Sequence, residues 1–201
     1  MKISKLALGF MAVAIVGVAN AQTKTFKIDS SSAPQQRIAT VESNADFETF
    51  TGRTSKLSGT IQFDPRSKKG HALIEIDAAS LDTGIEMRNE HMRGEMWLNT
   101  EEFRKIRFET TKVEHVRGDD YRVTGKFTFH GVTRTIKVDA KVRYIAQSDV
   151  TRKAKFKGDV LHFKTDFRIK LSDYGVKIPD PAKGRVSNTV KISISAFAQT
   201  G

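Results

Sequence analysis

The sequence predicts an all-β protein, a closed antiparallel barrel or tight sandwich interrupted once by a short helix, and three observations carry that reading. Tyr121, Val123, Phe127 and Phe129, with Gly125 in phase, oppose Arg122, Thr124, Lys126 and Thr128. The alternation returns at Ile136, Val138, Ala140, Val142 and Tyr144, and again at Leu161, Phe163, Thr165, Phe167 and Ile169, with mostly charged residues between. A period of two sustained this long means antiparallel strands with one wet and one dry face. Such strands remove their edges only by closing. The third observation is the exception: between residues 81 and 104, Ile85, Met92 and Met96 recur at helical spacing, with Arg88 and His91 between them.

Residues 1–21 read as a leader. Lys2 and Lys5 precede an apolar run from Leu6 to Val18, which ends in Ala19-Asn20-Ala21. A charged start, a short apolar stretch and an A-x-A site describe a secretory signal peptide, and the run is short for a membrane span. Cleavage after Ala21 and a periplasmic or secreted chain are expected. No cysteine follows the site, which argues against a lipid anchor. Residues 22–201 then suit one domain.

Strands are expected at 26–29, 38–43, 60–64, 72–76, 106–113, 121–129, 135–145, 160–169 and 190–197. Asp64-Pro65-Arg66-Ser67-Lys68-Lys69-Gly70 and Arg117-Gly118-Asp119-Asp120 supply turns. His130-Gly131 predicts a tight hairpin, with glycine providing the positive φ. Residues 148–155 and 179–184 read as loops. Within the insertion, a helix is expected around residues 85–93, with a further turn at 100–103 capped by Thr100. Met87, Met92, Met96, Trp97 and Leu98 suit a segment that plugs one end of a barrel or lids a cavity.

The chain has no cysteine, which excludes thiol catalysis, zinc fingers and iron–sulfur clusters. Its net charge is +11, of which Lys2 and Lys5 belong to the leader, leaving +9. Basic residues lie on the wet faces interspersed with acids, so a solvated surface competes with a dedicated anionic partner. Nucleic acid is not expected. His71, His91, His115, His130 and His162 are scattered without ligand spacing, so no metal and no cofactor are expected. No phosphate loop, nucleophile elbow or ordered triad occurs, and no catalytic residue is assigned.

Several segments carry a resemblance. Asp77-Ala78-Ala79-Ser80-Leu81-Asp82-Thr83-Gly84 with Arg88-Asn89-Glu90-His91-Met92, then Trp97-Leu98, then Gly125-Lys126-Phe127-Thr128-Phe129-His130-Gly131-Val132-Thr133, then Ser172-Asp173-Tyr174-Gly175-Val176 follow one another in the order of the YceI-like family of polyisoprenoid-binding proteins. Gly59-Thr60-Ile61-Gln62-Phe63-Asp64-Pro65 is similar to its early strand and turn. The resemblance spans nearly all of residues 22–201. It implies a lipocalin-like barrel of about eight strands whose apolar interior holds an extended isoprenoid lipid, and a periplasmic or secreted protein without chemistry of its own. Asn44, Asn89, Arg104 and Leu171 stand where the family pattern has His, Asp, Pro and Arg.

The expected function is non-enzymatic binding, transport or storage of a long polyisoprenoid or isoprenoid-quinone-like lipid. Transient membrane contact and a homodimer are compatible with it. The dry faces nominate Ile61, Phe63, Ile74, Phe108, Val123, Phe127, Phe129, Val138, Val142, Phe163 and Phe167 as ligand-facing. Arg88, His91, Met92, Trp97 and His130 are nominated for the mouth. Arg88 and His91 share a helical face, as mouth residues or as ordinary surface, and His130 is either a turn residue or a ligand contact. Inward alternation serves a filled barrel as well as a hollow one. The alternatives are a basic exported protein that binds anionic surfaces with a filled barrel, and an isoprenoid-modifying enzyme.

Overall fold

The computed structural model describes residues 22–28 and 36–201, so the expected leader and Asp29 of the first expected strand lie outside the described residues. Ten strands form one antiparallel sheet: β1 (Lys24–Ile28), β2 (Arg37–Asn44), β3 (Thr49–Thr54), β4 (Leu57–Asp64), β5 (Lys69–Asp77), β6 (Lys105–Arg117), β7 (Asp120–Phe129), β8 (Val132–Ile145), β9 (Val160–Lys170) and β10 (Thr189–Gln199). β1 and β2 lie end to end along β10, through Lys27 opposite Gln199 and Arg37 opposite Ala196. β3 and β4 likewise form one interrupted stave, paired with β2 and β1. The result is a closed barrel of eight staves, as expected for an antiparallel sheet that hides its edges.

Each end of the barrel is covered differently. The insertion end carries the β2–β3 hairpin, the segment between β5 and β6 with α1 (Glu86–Arg93), the His130-Gly131 turn, and residues 171–188. The other end carries the β4–β5 and β6–β7 turns and the β8–β9 connection with α2 (Asp149–Lys153). The His130-Gly131 hairpin places both residues at positive φ, 48° and 73°, which is the type I′ requirement for two central residues. Histidine is among the residues that tolerate this region.

The insertion end is filled. Phe127 stacks on Phe129 with centroids 6.4 Å apart and meets Phe167 and Tyr174 edge-on at 5.4 and 5.6 Å. Leu81, Leu171 and Val176 are buried around them, and Met92, Trp97 and Leu98 pack against the same core. Full burial of each large apolar side chain contributes roughly 1.5–3 kcal/mol, so this cluster fixes the closed end.

Besides Met92, α1 is anchored by polar contacts through Asn89, its one fully buried residue. Asn89 Oδ1 accepts from Thr83 N–H and Thr83 Oγ1, both at 2.8 Å, while Nδ2 donates to Asp82 Oδ1 at 2.8 Å. The Asp82 carboxyl lies below the usual range because Gly84 N–H, then Asn89, donate to it. An aspartate at position 89 would face Asp82 with like charge, so the amide fits this chain. Leu171 is a core residue and Asn44 accepts from Thr49 across its hairpin. Arg104 pairs with Asp77 at 2.9 Å.

Two expectations are corrected. Thr100 does not cap a turn; its hydroxyl donates back to the Arg93 carbonyl at 3.3 Å. The turn is closed on Asn99, whose carbonyl accepts from Phe103 N–H at 2.8 Å and whose φ is 43°. The loop expected at 148–155 contains α2, held by a reciprocal Ser148–Thr151 capping box.

Candidate functional site: an apolar cavity in the barrel

Where inward-facing side chains stop short of one another, the barrel leaves a cavity of about 110 Å³. Its wall draws on β4 through β9, with Ile194 added from β10. Of the eleven residues expected to face a ligand, Ile61, Phe63, Ile74, Phe108, Val123, Phe127, Val138, Val142, Phe163 and Phe167 lie on this wall. Phe129 does not, because it is one layer further toward the filled end, where Tyr174 covers it at 5.7 Å.

The wall's two threonine side chains are committed to the barrel itself. Thr165 Oγ1 donates to the Asp139 carbonyl at 2.8 Å, and Thr110 Oγ1 accepts from Ala72 N–H at 2.8 Å. Tyr121 is buried, which pushes its phenol above the ordinary range, with Asp119 adding to the effect. The interior is therefore a nearly pure hydrocarbon surface.

Gly125 shapes this wall. A Cβ there would lie 2.6 Å from both the Glu109 carbonyl oxygen and Phe108 Cζ. The missing side chain lets the Phe108 ring lie over the β7 backbone, the close approach that an in-strand glycine marks.

The opening comes from a parting of strands. β5 and β6 are paired from Asp77 opposite Lys105 only to Leu73 opposite Glu109. Beyond that, the β6–β7 register shifts between Thr110 and Lys112, and a bulge bends its strand away. Gly70, His71 and Ala72 then border the cavity on one side, with Thr110 and Val113 on the other. The His71 side chain is half exposed, and its Nδ1 lies 3.2 Å from Thr110 Oγ1. The cavity therefore reaches the surface at this seam.

None of the five residues expected at the mouth borders the cavity. Arg88 forms an ion pair with Glu48 and lays its guanidinium over Phe50 at 4.6 Å. His91 is exposed, while Met92 and Trp97 are half-buried against the core. His130 Nδ1 lies 3.1 Å from the Tyr174 carbonyl, and its ring meets Phe103 edge-on at 4.7 Å. The aromatic cluster fills the end where they sit, so the break in the wall falls elsewhere. Sequence reasoning missed Gly70, His71, Ala72 and Thr110 at the opening. The Asp64–Gly70 turn was visible, but the loss of β5–β6 pairing leaves no periodic signal.

Comparison with known proteins places the chain. A family profile described as the YceI-like domain matches residues 19–198. The UPF0312 protein of Serratia proteamaculans is 29% identical over 198 residues, 96% of each chain. Among solved structures, BcnA of Burkholderia cenocepacia superposes with a TM-score of 0.69 at 25% identity, covering 84% of this chain and 99% of that one. A domain from Saccharophagus degradans, described as polyisoprenoid-binding and implicated in plant cell wall breakdown, has a TM-score of 0.65 at 18% identity. It covers 90% of this chain and 100% of that one.

Proposed function

The chain belongs to the YceI-like family, and from that premise we propose that its barrel takes up the tail of a long apolar lipid, of polyisoprenoid or isoprenoid-quinone type, without transforming it. The observation that carries this reading is the cavity, bounded by hydrocarbon and running from Ile76 and Ile106 down to Phe63 and Val142. Burying a methylene contributes about 0.8 kcal/mol. Two or three isoprene units thus supply roughly 8–12 kcal/mol before association costs, enough for capture with few polar contacts. The Saccharophagus neighbour, described as binding polyisoprenoids, shares the fold and supports the choice of lipid class.

The non-enzymatic part of the reading rests on the wall's two threonine hydroxyls, which are engaged with backbone groups rather than presented to a guest. The signal-like leader supports action outside the cytoplasm. Organic extraction of freshly isolated protein, followed by mass spectrometry, should release such a lipid at near-stoichiometric level. An extract without lipid, together with failure to take up added polyprenol, would overturn the proposal.

A further inference from the structure

The two ends of the barrel carry opposite charge. In the connections at the seam end, residues 65–68, 118–119 and 146–159, six basic residues stand against three acidic ones. In those at the insertion end, residues 45–48, 78–104, 130–131 and 171–188, six basic residues stand against ten acidic ones.

Pairing sharpens the contrast. At the insertion end Arg88, Arg93, Arg104 and Lys183 are held by Glu48, Glu86, Asp77 and Asp180. At the seam end Lys68, Lys69, Lys153, Lys155 and Lys157 have no ion-pair partner among the described residues. Two apolar side chains project from the same rim: Val116 at the end of β6, 56% exposed, and Val150 on α2, 76% exposed.

We propose that the seam end is a docking face for an anionic bilayer surface. Unpaired lysines on neighbouring connections would meet the negative headgroup layer, where each basic residue contributes through the surface potential. Val116 and Val150 would contact the acyl boundary, a use that nucleic acid does not offer them. The cavity opens at this same end, beside Lys69, so docking would set the opening against the phase in which apolar lipids dissolve. The proposal does not depend on cargo, because it rests on charge and exposed side chains alone.

The test is vesicle sedimentation with protein as isolated from its host. Binding should be strong to phosphatidylcholine vesicles containing phosphatidylglycerol, weak to phosphatidylcholine alone, and lost at raised salt. A seam-end triple variant, Lys68→Asn (which tolerates the residue's φ of 59°) with Lys69→Gln and Lys155→Gln, should bind on the order of a hundredfold more weakly. A charge-matched triple at the insertion end, Lys177→Gln, Lys183→Gln and Arg185→Gln, should bind within about threefold of wild type, since its charges lie more than a screening length away. Circular dichroism should show the same β signature for all three proteins. Equal weakening by the two triples would overturn the proposal, leaving only net charge. So would equal binding to neutral vesicles, or tighter binding to a single-stranded oligonucleotide than to anionic vesicles.

Discussion

Ala140 offers a way to fill the cavity without charge. It lies on β8 between Tyr121 of β7 and Thr165 of β9, half-buried and facing the empty space. In Ala140→Phe the added ring would occupy volume that is now vacant, so the usual overpacking cost of about 1–3 kcal/mol should be offset by roughly 2 kcal/mol of new apolar burial. For a chain of this size a residual of about 1 kcal/mol shifts Tm by roughly 2–4 °C, so the barrel should melt close to wild type. A lipid tail would lose the room for five or so methylene equivalents. At about 0.8 kcal/mol each that is on the order of 4 kcal/mol, or roughly a thousandfold in affinity. Displacement of a fluorescent polyprenol analogue measures this directly, with Lys137→Phe on the outer face of the same strand as the control that should bind normally. Unchanged uptake by Ala140→Phe, in a protein that still melts near the wild-type temperature, would refute the assignment of the cavity as the binding site.

Three further outcomes are expected. Asn89→Asp should destabilise the protein by about 2–4 kcal/mol in chemical denaturation at neutral pH, and the deficit should shrink on acidification as either Asp82 or the introduced carboxyl takes a proton; a pH-independent deficit would remove the like-charge explanation. Burial pushes the Asp159 carboxyl up, but hydrogen bonds from Lys24, the Gln147 N–H and Tyr144 outweigh it and hold it below its ordinary value. Its stabilisation is therefore complete above the unfolded value of about 3.9 and lost as pH falls through the folded one. The partner Lys24 is raised chiefly by its hydrogen bond to Asp159, and that contribution fades only above about pH 10.4. Asp159→Asn should cost about 2 kcal/mol at neutral pH and flatten the acid limb of the stability curve; an unchanged acid limb would sink this account. For export, intact-mass measurement of the host-derived chain should give an N-terminus at Gln22, and a full-length chain retained in membrane would contradict it.

Strands whose dry face is made of large side chains were legible from sequence. β7 is the clearest case: Tyr121, Val123, Gly125, Phe127 and Phe129 are all buried, in the expected phase. β3 was not legible, because its buried positions are Gly52 and Thr54, which carry no hydrophobic period. The five-residue α2 was hidden for a related reason, since a helix so short is specified by its capping box rather than by an apolar stripe. The cavity wall could be read from alternation, whereas its opening could not. Whether β5 stays paired to β6 depends on a bulge near Thr111, and nothing in Glu109-Thr110-Thr111-Lys112 announces one.

The staves split between β1 and β2 and between β3 and β4 bear on how the barrel assembles. β1 joins the wall through β4 and through Lys27 opposite Gln199, residues far apart in the sequence. The Lys24 ammonium adds a tie to Asp159 and Tyr144, again more than a hundred residues distant. Contacts of such separation carry the largest loop-closure cost and form slowly. β1 thus waits for β10, and its docking belongs to the late stage of closing the cylinder. The same short strand is where the folded cylinder would unlatch at least cost, so amides of β1 should exchange with solvent ahead of those in β7 and β10.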